Sequence, residues 1–123
     1  MGEIKTKYFD EKTFLVNFSG MEELACEAVD SFLKTANELF AAVENAIQLN
    51  DPKKIEITAH TLKGSVSNFY AKECYDKALK IEEFGRHKNY SEDEIKNSLL
   101  LLKHELENLE GDLQEFLNRK KSA

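Results

Sequence analysis

Ala59-His60-Thr61-Leu62-Lys63-Gly64-Ser65 reads as the middle of a helix. Ile55, Ala59, Leu62, Val66 and Phe69 recur at alternating steps of four and three, the apolar seam of a helix packed in a bundle. At about 100° per residue, Lys63 falls about 60° to one side of His60, Gly64 about 40° to the other and Ser67 about 20° away. That face points away from the seam. His60 therefore stands in water, with an ammonium one turn on and a glycine beside it.

Gly64 is the informative residue. A glycine in an exposed helix interior costs about 1 kcal/mol relative to alanine, and packing does not ask for it off the seam. A missing side chain beside His60 lets another molecule's atoms approach the imidazole. Lys63 favours an anion near that ring. An imidazole in water is nucleophilic near neutral pH, since it titrates at about 6.5. Nucleophile, cation and open approach together point to covalent transfer of an anionic group, a phosphoryl group above all. A lone histidine on a helix is ordinarily just a surface residue; the run His-x-x-Lys-Gly shifts the weight.

Outward from this stretch the chain continues in helices. Asn50-Asp51-Pro52 is the sharpest boundary, with Asp51 suited to the N-cap and Pro52 to the first helical position. Before it, Ala25, Val29, Phe32, Ala36, Leu39, Val43 and Ala46 mark a long helix ending near Leu49. Ser19 with Glu22 resembles its capping box, and Thr35 with Glu38 a second one that predicts a kink. Asp10 to Phe18 forms a short first helix. After the His60 helix, Asn68 to Tyr70 makes a turn. Ala71, Cys74, Ala78 and Ile81 mark the next helix, which ends near Phe84 with Gly85 as its C′ residue and residues 86–90 as a loop. Ser91 with Glu94 opens a last helix whose seam runs Ile95, Leu99, Leu102, Leu106, Leu109, Leu113, Phe116, ending near Asn118. The expected fold is all-α: an antiparallel up-down four-helix bundle with a short extra N-terminal helix. Residues 1–8 read as a flexible N-terminus, 9–118 as the bundle domain and 119–123 as a flexible tail.

The totals agree. A chain of 123 residues with 41% hydrophobic and 33% charged residues can bury one core without help. A net charge of −6 argues against nucleic acid as the main partner. No apolar run approaches the roughly 20 residues that span a bilayer, and no signal peptide is visible, so the expected location is the cytoplasm, with no membrane partner. Cys26 and Cys74 lack CxxC spacing; Cys74 falls on a seam and reads as a small buried residue.

The hairpin bend at about residues 70–71 places His60 opposite residues 81–82. Ile81 is on the seam, so Glu82 flanks it and either faces the imidazole or is simply a solvated flank residue. Facing the ring, it would accept from Nδ1–H, fixing the tautomer and raising the ring's basicity. Lys63, on the solvent side, would stabilise phosphoryl oxygens. Ser65 and Ser67 are secondary candidates for hydrogen bonds near the site. His87 and His104 are assigned no role.

Ala59-His60-Thr61-Leu62-Lys63-Gly64-Ser65, Asn68-Phe69, Ala71, Ala78 and Ile81-Glu82 together resemble the histidine-containing phosphotransfer (HPt) domains of bacterial two-component phosphorelays. The resemblance covers most of the chain in pattern and is specific at the core motif. It departs at Tyr70, a position that is often glycine in the family. It implies phosphorylation of His60 at Nε2 and relay of a phosphoryl group between a sensor kinase or receiver-domain aspartate and another receiver aspartate. The implied partners are response-regulator receiver domains and a (hybrid) histidine kinase, and the implied state is a monomer.

No P-loop, kinase-like glycine-rich loop or acidic Mg²⁺ cluster is present in the sequence. The chain is therefore expected to be a phosphohistidine carrier rather than an ATP-using enzyme. It should need no cofactor or metal of its own, with Mg²⁺ on the partner receiver. Docking calls for apolar surface, and Leu33, Phe40 and Phe14 are the candidates, unless they pack under the first helix. Two other classes stand beside this one. A helical-bundle binding module that docks receivers without transfer would be expected to have lost His60 or Lys63-Gly64. A metal-binding bundle would want Glu-x-x-His pairs facing the core.

Overall fold

The bundle is square and closed. In a computed structural model that describes residues 8–122, α1 (Glu11–Val16), α2 (Glu22–Gln48), α3 (Pro52–Ser67), α4 (Lys72–His87) and α5 (Glu92–Ser122) follow one another with short connections. From α2 onward each helix packs on its neighbours in sequence, and α5 returns to α2. Among the described residues there is no strand. Of residues 1–8, expected to form a flexible N-terminus, 1–7 lie outside the described part.

Local chemistry accounts for most helix ends. Asp51 caps α3 by accepting from the Lys54 backbone N–H at 3.2 Å, with Pro52 at the first position. Ser91 and Glu94 form a reciprocal capping box at 3.1 and 3.0 Å. Asp10 caps α1. The expected Ser19 box does not form. Ser19 and Gly20 are both left-handed, with φ of 51° and 82°, and reverse the chain, so Met21 becomes the N-cap and Ser19 sits two residues before that cap. The expected kink at Thr35 is also absent. α2 runs unbroken, and the Thr35 hydroxyl donates back to the Ser31 and Phe32 carbonyls.

The seams meet in one core. Val29, Phe32 and Val43 of α2, Ile55, Leu62 and Val66 of α3, Cys74 and Ile81 of α4, and Ile95, Leu102 and Leu113 of α5 are buried. Each large apolar side chain so buried contributes about 1.5–3 kcal/mol. One end is closed by an aromatic cluster of Phe9, Phe14, Phe18, Phe32, Phe69 and Phe116, in which Phe14 meets Phe9, Phe18, Phe69 and Phe116. Phe14 is 2% exposed, so it is part of the end cap rather than a docking residue.

Two further departures concern α4 and α5. Gly85 does not end α4, which continues through Arg86 and His87 to a left-handed C-cap at Lys88 (φ 54°). Gly85 is instead buried against α3. α5 runs past Asn118 to Ser122, where Arg119 pairs with Glu11 at 2.6 Å and Lys120 with Glu22 at 3.0 Å. Between α3 and α4, Tyr70 takes φ 55°, the left-handed conformation that glycine adopts most easily, and its hydroxyl accepts from Asn17 Nδ2.

Candidate functional site

His60 lies on the outer face of α3 with its side chain 66% exposed. The seam residues Ala59 and Leu62 on either side are fully buried and lock the helix face that carries it. Across the α3–α4 contact stands Glu82, whose neighbour Ile81 is on the α4 seam. Glu82 is 2% exposed, yet its Oε2 lies 2.9 Å from His60 Nδ1.

Three cationic or protonatable groups converge on this carboxylate. His60 and Arg86 share Oε2, Arg86 Nη2 donating at 2.5 Å. Lys63 Nζ lies 2.8 Å from Oε1 and 5.5 Å from the centroid of the Tyr75 ring. Arg86 in turn donates from Nε to Glu56 at 3.2 Å. Burial by itself pushes the Glu82 carboxyl up, but its contacts with Lys63 and His60 outweigh that and hold it below the usual range. An ionised carboxylate only accepts, so the facing Nδ1 must carry the hydrogen. The Nε2 lone pair is then left for solvent or substrate.

The remaining predicted residues fall in different places. Lys63 was expected free on the solvent side; it is only 15% exposed and turned onto Glu82, because a buried carboxylate within reach outcompetes water for the ammonium. A Cβ added at Gly64 would meet nothing within 4 Å, so the surface beside His60 is open. Ser67 donates its hydroxyl to the Gly64 carbonyl at 2.7 Å, tying it to the helix backbone. Ser65 lines a cleft at the far end of α3 with Asn17, Phe18 and Tyr70. Leu33 and Phe40 are half-buried and pack against the core. The exposed apolar residue nearest His60 in the chain is Ile57, which lines a shallow depression with Lys53, Glu56, His60, Thr61 and Arg86.

Arg86 and Glu56 were missed. The available signals were their spacings: Arg86 is one turn past Glu82, and Glu56 one turn before His60.

The fold and this cluster define a class: a helical bundle that presents to solvent an imidazole whose inner nitrogen is held by a buried carboxylate. The family model of the Hpt domain matches residues 27–112, and the chain belongs to the Hpt domain family, the histidine phosphotransfer modules of two-component phosphorelays. The fold is similar to that of histidine-containing phosphotransfer protein B (HptB) from Pseudomonas aeruginosa PAO1, at 19% identity over 91% of this chain and 96% of that one, with a TM-score of 0.80. It is also similar to the HPT domain of a sensor hybrid histidine kinase from Shewanella, at 18% identity over 92% of this chain and 96% of that one, with a TM-score of 0.76. A comparison with curated proteins finds no match. Among the described residues, no helix is long and apolar enough to cross a membrane.

Proposed function

We propose that His60 is the residue that carries the phosphoryl group in this Hpt domain, accepting it on Nε2 from a receiver-domain aspartyl phosphate or a histidine kinase and passing it to another receiver. The observation that carries this reading is the 2.9 Å contact between His60 Nδ1 and buried Glu82. With the hydrogen held at Nδ1, Nε2 can attack the phosphorus in line. The N–P bond forms as the P–O bond to the aspartate breaks, and the bonding pair leaves on the carboxylate oxygen. The ring becomes positively charged as the bond forms, and Glu82 stabilises that charge without taking the proton.

Lys63 and Arg86 balance the Glu82 charge in the resting domain. Lys63, on a flexible four-carbon stem, also adds positive potential where the phosphoryl oxygens arrive. Gly64 leaves room for the partner's backbone, and Ile57 offers apolar contact beside His60. The domain needs no nucleotide or metal of its own, Mg²⁺ being supplied by the receiver, and it works as a cytoplasmic monomer. The test is incubation with a phosphorylated receiver and, separately, with ATP and Mg²⁺ alone. The expected result is label on His60 from the receiver and none from ATP. Stoichiometric labelling by ATP would overturn the carrier reading.

A further inference from the structure

The two glycines nearest the site have opposite surroundings. Gly64 faces open space, whereas a Cβ built on Gly85 would lie 2.6 Å from the Glu56 backbone nitrogen and 2.7 Å from the Pro52 carbonyl oxygen. These are backbone atoms in the first turn and a half of α3. They cannot rotate aside as a side chain would, so a methyl group there must move one helix away from the other.

Gly85 stands one turn from Glu82 on α4, and Glu56 one turn from His60 on α3. This close approach of the two backbones is thus one turn from the His60–Glu82 contact. α3 and α4 are also the most extensively packed helix pair of the bundle. We propose that Gly85 is a positioning residue for phosphoryl transfer: by letting the α4 backbone touch α3, it sets the helix separation at which buried Glu82 reaches both His60 Nδ1 and Lys63 Nζ. This rests on His60 being the phosphoryl carrier.

The distances give the proposal little slack. Ordinary contact begins at 3.4 Å, so the nearest approach, 2.6 Å to the Glu56 nitrogen, leaves a methyl group short by roughly 0.8 Å. Adding much of that retreat to the His60–Glu82 distance takes it to about 3.6 Å, where a hydrogen bond no longer holds. Alanine is the better helix former, so local propensity does not explain a glycine here; the close approach does.

The experiment compares wild type, Gly85→Ala, Glu82→Asp and Gly111→Ala, each as the 123-residue chain. Gly111 is a helical glycine with nothing within 4 Å of an added Cβ, so its variant controls for glycine loss alone. Glu82→Asp shortens the carboxylate by one methylene without touching the helix backbones, and it decides the matter if Gly85→Ala does not fold. The readouts are the His60 imidazole tautomer by ¹⁵N NMR and the rate of transfer from a phosphorylated receiver. Gly85→Ala and Glu82→Asp should both lose the Nδ1–H preference and transfer roughly 10–100-fold more slowly, while Gly111→Ala matches wild type. An unchanged tautomer and rate in folded Gly85→Ala, or an unchanged tautomer in Glu82→Asp, would overturn the proposal. If wild type and Gly111→Ala accept no phosphoryl group, the carrier reading fails instead, and the tautomer comparison still judges the positioning role of Gly85.

Discussion

Arg86 and His60 meet on the same oxygen of Glu82, at 2.5 and 2.9 Å. The two donors share the lone pairs of one oxygen, so each draws on the same negative charge, and Arg86 is itself steadied by Glu56. Arg86 therefore moderates the hold of Glu82 on the ring rather than adding to it. Arg86→Ala should keep the Nδ1–H tautomer and cost only about 1 kcal/mol of stability, because the guanidinium is half in water. Urea unfolding and imidazole NMR check both parts; loss of the tautomer in Arg86→Ala would show that Arg86 holds the carboxylate in place.

Glu82 also links stability to pH. Burial raises its carboxyl, the contacts with Lys63 and His60 together lower it by more, and the net shift is downward. A depressed native pKa means stability that is complete above the ordinary glutamate range and lost as pH falls through the native value. Glu82→Gln removes that contribution and leaves Lys63 and Arg86 without their shared partner, costing about 2 kcal/mol at neutral pH. The gap between wild type and variant should shrink as pH falls to about 3. The upward shifts of Glu110 and Asp112 act the other way but are common to both proteins. Chemical unfolding at the two pH values measures this; a constant gap would mean Glu82 is not ionised in the native state.

Gly64→Gln should fold, gain up to about 1 kcal/mol of helix stability and slow receiver transfer. The new side chain enters open space on the protein and occupies the partner's approach to His60. Normal transfer kinetics in this variant would show that Gly64 is not an access feature.

Cys74 is 1% exposed, and burial, with Glu105 and Glu110 adding to it, pushes its thiol up to about 12. Cys26 is only half-buried. In the native protein Cys26 should react with a thiol reagent first, and Cys74 only at the rate of unfolding. Equal rates under native conditions would contradict the packing of the α4 seam.

Much of this was readable from residue spacing, for a physical reason. A helix in a bundle buries one face, so Ile55, Ala59, Leu62 and Val66 announce both the helix and its outer face. The short turn between α3 and α4 leaves little freedom of register, so Glu82 could be set opposite His60. What was illegible depends on other parts of the chain. Gly85 answers to the backbone of α3, which no pattern within α4 reveals. A helical wheel gives the face of Lys63 but not where a four-carbon side chain ends. Surplus apolar residues such as Phe14 look alike whether they close the bundle's end or meet a partner. Arg86 matters only because Glu82 is buried beneath it.

The most direct measurement of the central claim is transfer from a phosphorylated receiver to wild type and to His60→Gln, with the label tested for acid and base stability. The off-seam position of His60 means the variant should fold with its core intact. Wild type should acquire an acid-labile, base-stable label at one residue per chain and His60→Gln none. The same label persisting on folded His60→Gln would contradict the account.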